Sequence, residues 1–285
     1  MGEKAVIETY EEKRKRVQEF NLTSDLFAGK VFEDILASQE LCRILMQKPD
    51  ILLRNVKTQY VIRNLESHSV QLDILAEEIS GNMINIELQM YQEDAPFKRT
   101  RYYTSCIDVN ILEKGKEYDE LPTVTVLYIT ATDFIGSGKG YYQIRRTVQG
   151  NGRIVRKNVD NGLCEKYFNL EYPTTDEKIN KLLEYLRNSD PYYQTELFPR
   201  IVERVCFFKI GREGVDIMCE IADRIRQEGK IEGKIEDIME LLEELGKVPV
   251  KIVQRIKRET DLNVLSRWIK CAAVVSSISE FEAKM

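Results

Sequence analysis

A single histidine, His68, stands in the whole chain of 285 residues, and no two cysteines are spaced as CxxC. The first fact removes multi-histidine metal centres and any nucleophile that needs a histidine base, unless His68 itself serves. The second sets the six cysteines, at 42, 106, 164, 206, 219 and 271, apart from a disulfide framework or a zinc site. They sit mostly in apolar patterns and suggest reduced, buried thiols in a cytoplasmic protein. No apolar run reaches the roughly 18 residues of a membrane span, and the opening Met1-Gly-Glu-Lys-Ala-Val-Ile-Glu8 has no apolar signal region, so no membrane partner is expected. Positive charge is also in deficit, with a net charge of −5. That does not advertise a nucleic-acid partner, since phosphate contacts need lysine and arginine. One stretch inverts the balance. From Phe134 to Val159 there is no acidic residue, while Lys139, Arg145, Arg146, Arg153, Arg156 and Lys157 are all present. Such a block suits either a solvated basic hairpin or one that faces phosphate.

What is there centres on residues 70–90. Ser80-Gly81-Asn82 supplies turn chemistry between two apolar runs, which predicts a hairpin. Alternation places Val70, Leu72 and Ile74 on one face of the first strand, and Ile84, Ile86, Leu88 and Met90 on one face of the second. Asp73, Glu87 and Gln89 then share the other face. Two carboxylates beside a backbone carbonyl, that of Leu88, form a hard oxygen site of the kind Mg²⁺ or Mn²⁺ prefers. The same three polar residues would equally serve as the solvated face of an antiparallel hairpin. His68, just ahead of this hairpin, is read either as a surface residue or as a base beside the Asp73 strand.

Asp73 followed by Glu87-Leu88-Gln89 resembles the D…(D/E)xK signature of PD-(D/E)xK nucleases, with glutamine in place of the lysine. The ordered set Leu72-Asp73, Ile86-Glu87-Leu88-Gln89, Arg101-Tyr102-Tyr103, Lys114-Gly115 with Tyr118 and Leu121, and Asp133-Phe134 is similar to the Rpn family of recombination-promoting nucleases, also called PD-(D/E)xK nuclease family transposases. The resemblance spans roughly residues 22–245. It implies an α/β fold with a restriction-endonuclease-like mixed central sheet flanked by helices. It also implies a Mg²⁺- or Mn²⁺-dependent DNA endonuclease linked to recombination or mobile elements. Asp73, Glu87 and Gln89 would be catalytic, and Asp73, Glu87 and the Leu88 carbonyl would hold the metal. Lys98, Arg99, Arg101, Tyr102, Arg145 and Arg146 would meet DNA, and an early helix would offer Glu33 or Glu40 as a further acid. Because glutamine carries no charge, the missing cation would come from a second metal, from Lys98 or Arg101, or not at all. The last case describes a catalytically degenerate α/β interaction or DNA-binding protein, assembled through its C-terminal helices.

Around this centre the chain divides into a charged N-terminal arm, 1–20, a nuclease-like core, 21–190, and a helical C-terminal region, 191–285. Thr23-Ser24-Asp25 and Ser38 are candidate caps of two helices, the second ended by Pro49. Residues 51–64 are weakly patterned. An amphipathic helix follows Pro96, a buried strand is expected over 121–129, Asp133–Gly140 reads as a turn, and strands are expected over 141–148 and 163–170. Helix 176–187 follows. Positions 217, 221, 231, 235, 238, 242 and 245 form a heptad seam suited to a partner helix, with an interruption or hinge expected at Gly229 and Gly233. Two shorter helices, near 250–258 and 262–274, carry the single tryptophan, Trp268, on an apolar face.

Overall fold

The computed structural model describes residues 8–63, 69–91 and 96–285, so His68 lies outside the described residues. The chain forms two compact units, Met1–Asp216 and Ile217–Met285.

The first unit opens with α1 (Tyr10–Gln18), α2 (Asp25–Phe32) and α3 (Ile35–Met46). Helix α3 is capped by Asp34, whose carboxylate accepts from the Leu36 and Ala37 amides. Ser38, expected as that cap, instead lies inside the helix and donates to the Phe32 carbonyl. Ser24 occupies the cap position of α2, yet its side chain makes no cap bond. The weakly patterned stretch after α3 is a strand, β1 (Leu53–Ile62). Its pattern is weak because it is an edge strand of a six-stranded sheet and so carries mixed exposure.

The expected hairpin is present as β2 (Val70–Glu78) and β3 (Met83–Gln89), turned at Gly81, whose φ of 90° suits glycine alone among common residues. Helix α4 (Pro96–Ile111) then leads to β4 (Val124–Thr130), parallel to β3. β4 is buried at every position because helices cover both faces of the sheet, the usual condition of a parallel strand. On one face lie Val124, Val126 and Tyr128 with Ile107 and Tyr103 of α4. On the other, Lys166 reaches the last carbonyls of α3 at Leu45 and Met46.

Beyond β4 the expected strand over 141–148 is only half correct. β5 (Tyr141–Ile144) joins the sheet, but the chain then leaves it to build a separate ribbon, β6 (Val148–Gly150) and β7 (Arg153–Arg156). Asn151-Gly152, with φ of 52° and 76°, turns the ribbon. β8 (Leu163–Asn169) returns between β4 and β5, parallel to β4. Helices α5 (Glu177–Asn188) and α6 (Pro199–Ile210) complete this unit, and Glu40 of α3 accepts from the Arg200 and Ile201 amides at the start of α6.

Helix α7 (Arg212–Glu243) runs unbroken through Gly229 and Gly233, which corrects the expected hinge. The second unit is built on its C-terminal half with α8 (Val250–Arg258), α9 (Leu262–Ala272) and α10 (Ile278–Lys284). Ile238, Leu242, Ile252, Ile256, Leu265, Trp268 and Phe281 form its core. The heptad seam is therefore covered at Ile238 and Leu242, while Ile221, Ile231 and Ile235 are only half-buried and Leu245 is exposed. Among the described residues no helix is long and apolar enough to cross a membrane.

Candidate active site

The site forms where β2 and β3 stop pairing. Antiparallel partners run from Glu77 with Met83 to Ile74 with Ile86 and go no further. At the next step the Asp73 Oδ2 accepts from the Leu88 amide at 2.8 Å, so a side chain takes the place of a ladder carbonyl. Across the other side of β2, Gln59 sits in the left-handed region with φ of 48°, which bends β1 at the same level. Its amide approaches Asp73 Oδ1 at 3.5 Å and is itself held by Gln71. Leu72 and Leu75, three residues apart, both pack into the core under α4. The strict alternation expected of β2 is thus not kept across Asp73.

Glu87 projects from β3 in register with Tyr128 of β4, on the face covered by α4. It is 5% exposed, and its Oε1 is buried without a hydrogen-bond partner. Two positions earlier on the same face Asn85 is fully buried, and neither its Oδ1 nor its Nδ2 completes a hydrogen bond. The Tyr128 hydroxyl is likewise unsatisfied. Buried polar atoms without partners are uncommon and mark places where a ligand or solvent completes the structure.

The electrostatics follow from this burial. Asp73 is pushed up to about 6, first by burial and further by the Asp25 carboxylate, against the pull of the Leu88 amide. Glu87 is pushed well above the usual carboxylate range, first by burial and then by the charge of Asp73. Nearby Asn85, the Asp73 amide and Arg99 ease its ionisation without offsetting the burial. A buried carboxylate whose proton affinity is raised further by a second carboxylate is a site that a cation would relieve.

Around them stand Gln89 and three residues from the facing elements. Arg99 donates to Gln89 Oε1 at 3.2 Å, and its guanidinium lies over the Tyr103 ring at 5.6 Å. Burial pushes Tyr128 up to about 12, with Arg99 working the other way. Lys98 and Arg101 are exposed on α4, and Tyr102 is 37% exposed. Arg145 extends along the Gln143 side chain. Arg146 is paired at 2.7 Å with Glu165, a 5%-exposed carboxylate, and so spends its charge inside the protein. Glu33 pairs with Lys30 and Glu40 holds the start of α6, so neither serves this site. Asp25, at the first turn of α2, is the early acid that acts on Asp73.

Asn85 was legible by parity, since it shares with Glu87 and Gln89 the polar face of β3. Asp25 and Tyr128 carry no local signal, because their places depend on how α2 and β4 pack.

Among the described residues no group of three or more His, Cys, Asp or Glu side chains gathers into a metal cluster. The oxygen donors present fit a divalent cation that keeps several waters: Asp73, Glu87 with its unpartnered Oε1, and the Leu88 carbonyl.

A mixed six-stranded sheet flanked by helices, with a helical C-terminal region, is consistent with the PD-(D/E)XK fold, and the carboxylates of Asp73 and Glu87 lie where β2 and β3 part. Residues 31–149 match the family model of the PD-(D/E)XK nuclease family transposases. The match takes in Asp73, Glu87, Gln89 and α4, and is shorter than the span of roughly 22–245 expected from the sequence. No curated protein and no solved structure matches the chain.

Proposed function

We propose that this chain is a Mg²⁺- or Mn²⁺-dependent DNA endonuclease acting in recombination or on mobile elements, in the cytoplasm. The observation that carries the reading is the buried pair Asp73 and Glu87, each pushed toward its neutral form by burial, with Glu87 Oε1 left unpartnered. A structural pair of carboxylates would be hydrogen-bonded or matched to a cation, because an uncompensated buried charge is costly.

Asp73, Glu87 and the Leu88 carbonyl hold the metal in this reading. When bound, it supplies activation of water and neutralisation of charge on the phosphate oxygens. Asp73 stays oriented because one oxygen is tied to the Leu88 amide. Gln89 faces the same side of β3 and orients by hydrogen bonding. The closed floor of Asn85 and Tyr128 keeps bulk water from the rear of the site. Lys98, Arg101 and Tyr102, exposed at the start of α4, meet the DNA backbone, and Arg145 is a more distant contact. Self-association uses the half-buried part of the α7 seam around Ile221 and Ile231.

The test is nicking of supercoiled plasmid with Mg²⁺ or Mn²⁺. Wild type cuts, and Asp73→Asn and Glu87→Gln lose at least about 100-fold, since metal activation of water and stabilisation of transition-state charge go together. Equal nicking by all three would assign the activity elsewhere. Sedimentation of wild type against Ile221→Glu tests self-association, with a dimer expected only for the former.

A further inference from the structure

We propose that Arg99 is the phosphate-binding cation of this site, and that Gln89 is the residue that positions it. The proposal rests on the nuclease reading above and assigns the charge that Gln89 cannot carry.

Three observations converge. The Arg99 guanidinium is tied to Gln89 Oε1 at 3.2 Å, which fixes it over the open end of β3. It acts electrostatically on both Asp73 and Glu87, so it lies within reach of the carboxylate pair. It is only partly buried, whereas Lys98 and Arg101, the cations expected to serve, are exposed on α4. A phosphodiester brings negative charge to a face that already carries two carboxylates, and more charge develops on its oxygens as the bond breaks. A guanidinium held in place suits this, because its planar fork matches phosphate geometry and it stays charged at any working pH.

The identity of residue 89 follows from the same contact. Arg99 needs an acceptor there, and a glutamine offers one while its own amide turns to the Tyr91 carbonyl at 3.4 Å. A lysine at 89 would set an ammonium against the guanidinium. One positive charge therefore fits this corner, either on the helix or on the strand, and here it is on the helix.

The experiment compares wild type, Arg99→Gln, Gln89→Lys and the double variant Gln89→Lys/Arg99→Gln. Steady-state nicking is measured with Mn²⁺, and binding of a labelled duplex is measured in chelator across a salt series. Arg99→Gln should lower kcat about 100-fold with a smaller change in KM, as expected for loss of a transition-state contact. It should also lower the slope of log affinity against log salt by about 0.9, the contribution of one phosphate. Gln89→Lys alone should lose activity, and the double variant should recover at least about tenfold of that lost by Arg99→Gln, a non-additivity that a merely structural role would not give. Wild-type kcat and salt slope in Arg99→Gln, or losses that simply add in the double variant, overturn the proposal. If wild type nicks no DNA, the nuclease reading falls and the salt slope decides on Arg99 alone. A slope lowered by Arg99→Gln keeps it as a phosphate contact, and an unchanged slope, or no DNA binding at all, removes it. Where Arg99→Gln does not fold, Arg99→Lys keeps the charge but loses the fork, and its kcat should fall at least about tenfold below wild type with the salt slope kept, whereas a wild-type kcat in Arg99→Lys overturns the proposal.

Discussion

Asp73 shows how one residue's surroundings translate into a measurable pH dependence. Its folded pKa, about 6, lies above the usual carboxylate value, so the folded chain holds its proton more tightly than the unfolded chain. Stability from that proton is complete below pH ~4 and is lost as pH rises toward 6, by about 3 kcal/mol at most. Asp73→Asn should therefore gain on wild type between pH 4 and 6 in chelator and hold level above, as read by urea unfolding. Asparagine is the right probe because its Oδ1 can still accept from Leu88, whereas alanine would strand that amide. Lys209 predicts the opposite sign. It is 2% exposed, and burial holds it down to about 8, with only the Asp190 charge opposing. A lysine lowered in the fold costs stability as pH falls from its unfolded value toward 8. Lys209→Met should stabilise by up to about 3 kcal/mol at pH 7, less the lost bond to the Gln18 carbonyl, and the gain should vanish above pH ~10.5.

At the scale of elements, what could be read from the sequence was what local chemistry decides. The β2–β3 hairpin is signalled by its turn and its apolar runs, α4 by Pro96 and a three-four pattern, and α8 by its spacing. β1 escaped because an edge strand of mixed exposure, buried only at its two ends, lacks alternation. The β6–β7 ribbon escaped because its departure from β5 depends on where the sheet ends, and neighbouring strands set that. The same limit governs the site. Glu87 and Gln89 follow from strand parity, while the approach of Asp25, Tyr103 and Tyr128 belongs to packing between elements. In α7 the expected hinge failed because two glycines cost only about 1 kcal/mol each in a continuous helix of 32 residues. Nothing approaches within 4 Å of a Cβ built at Gly229 or Gly233. Gly229→Ala and Gly233→Ala should each stabilise the helix by about 0.5–1 kcal/mol, seen as a higher melting temperature and stronger helical circular dichroism. Trp268→Ala should cost about 3–5 kcal/mol in the unit it anchors, measured by chemical unfolding.

For the molecule as a whole, the carboxylate pair predicts how metal and fold are linked. Mn²⁺ should raise the melting temperature of wild type, more at pH 7.5 than at pH 5.5, because binding must displace protons from Asp73 and Glu87. Glu87→Gln should abolish most of that rise and leave the metal-free melt level or higher. A rise of equal size in the variant would place the metal elsewhere. If the chain acts on DNA as proposed, its acidic surface leaves only limited basic surface for the approach. Binding should therefore weaken steeply with salt, and neutralising Lys98 and Arg101 should reduce the slope without altering metal affinity.

The hydrogen bond from the Leu88 amide to Asp73 has a consequence for how such a protein would drift. Asp73 answers to two demands, one from the chemistry and one from the sheet, which needs an acceptor where β2 and β3 part. Glu87 has an oxygen with no structural duty. A lineage released from cutting DNA would shed the glutamate freely, even gaining stability, while retaining an aspartate or asparagine at 73 for the sake of its neighbour's amide. Persistence at the first position is thus a poor sign of a living enzyme, and persistence of Glu87 is the informative one.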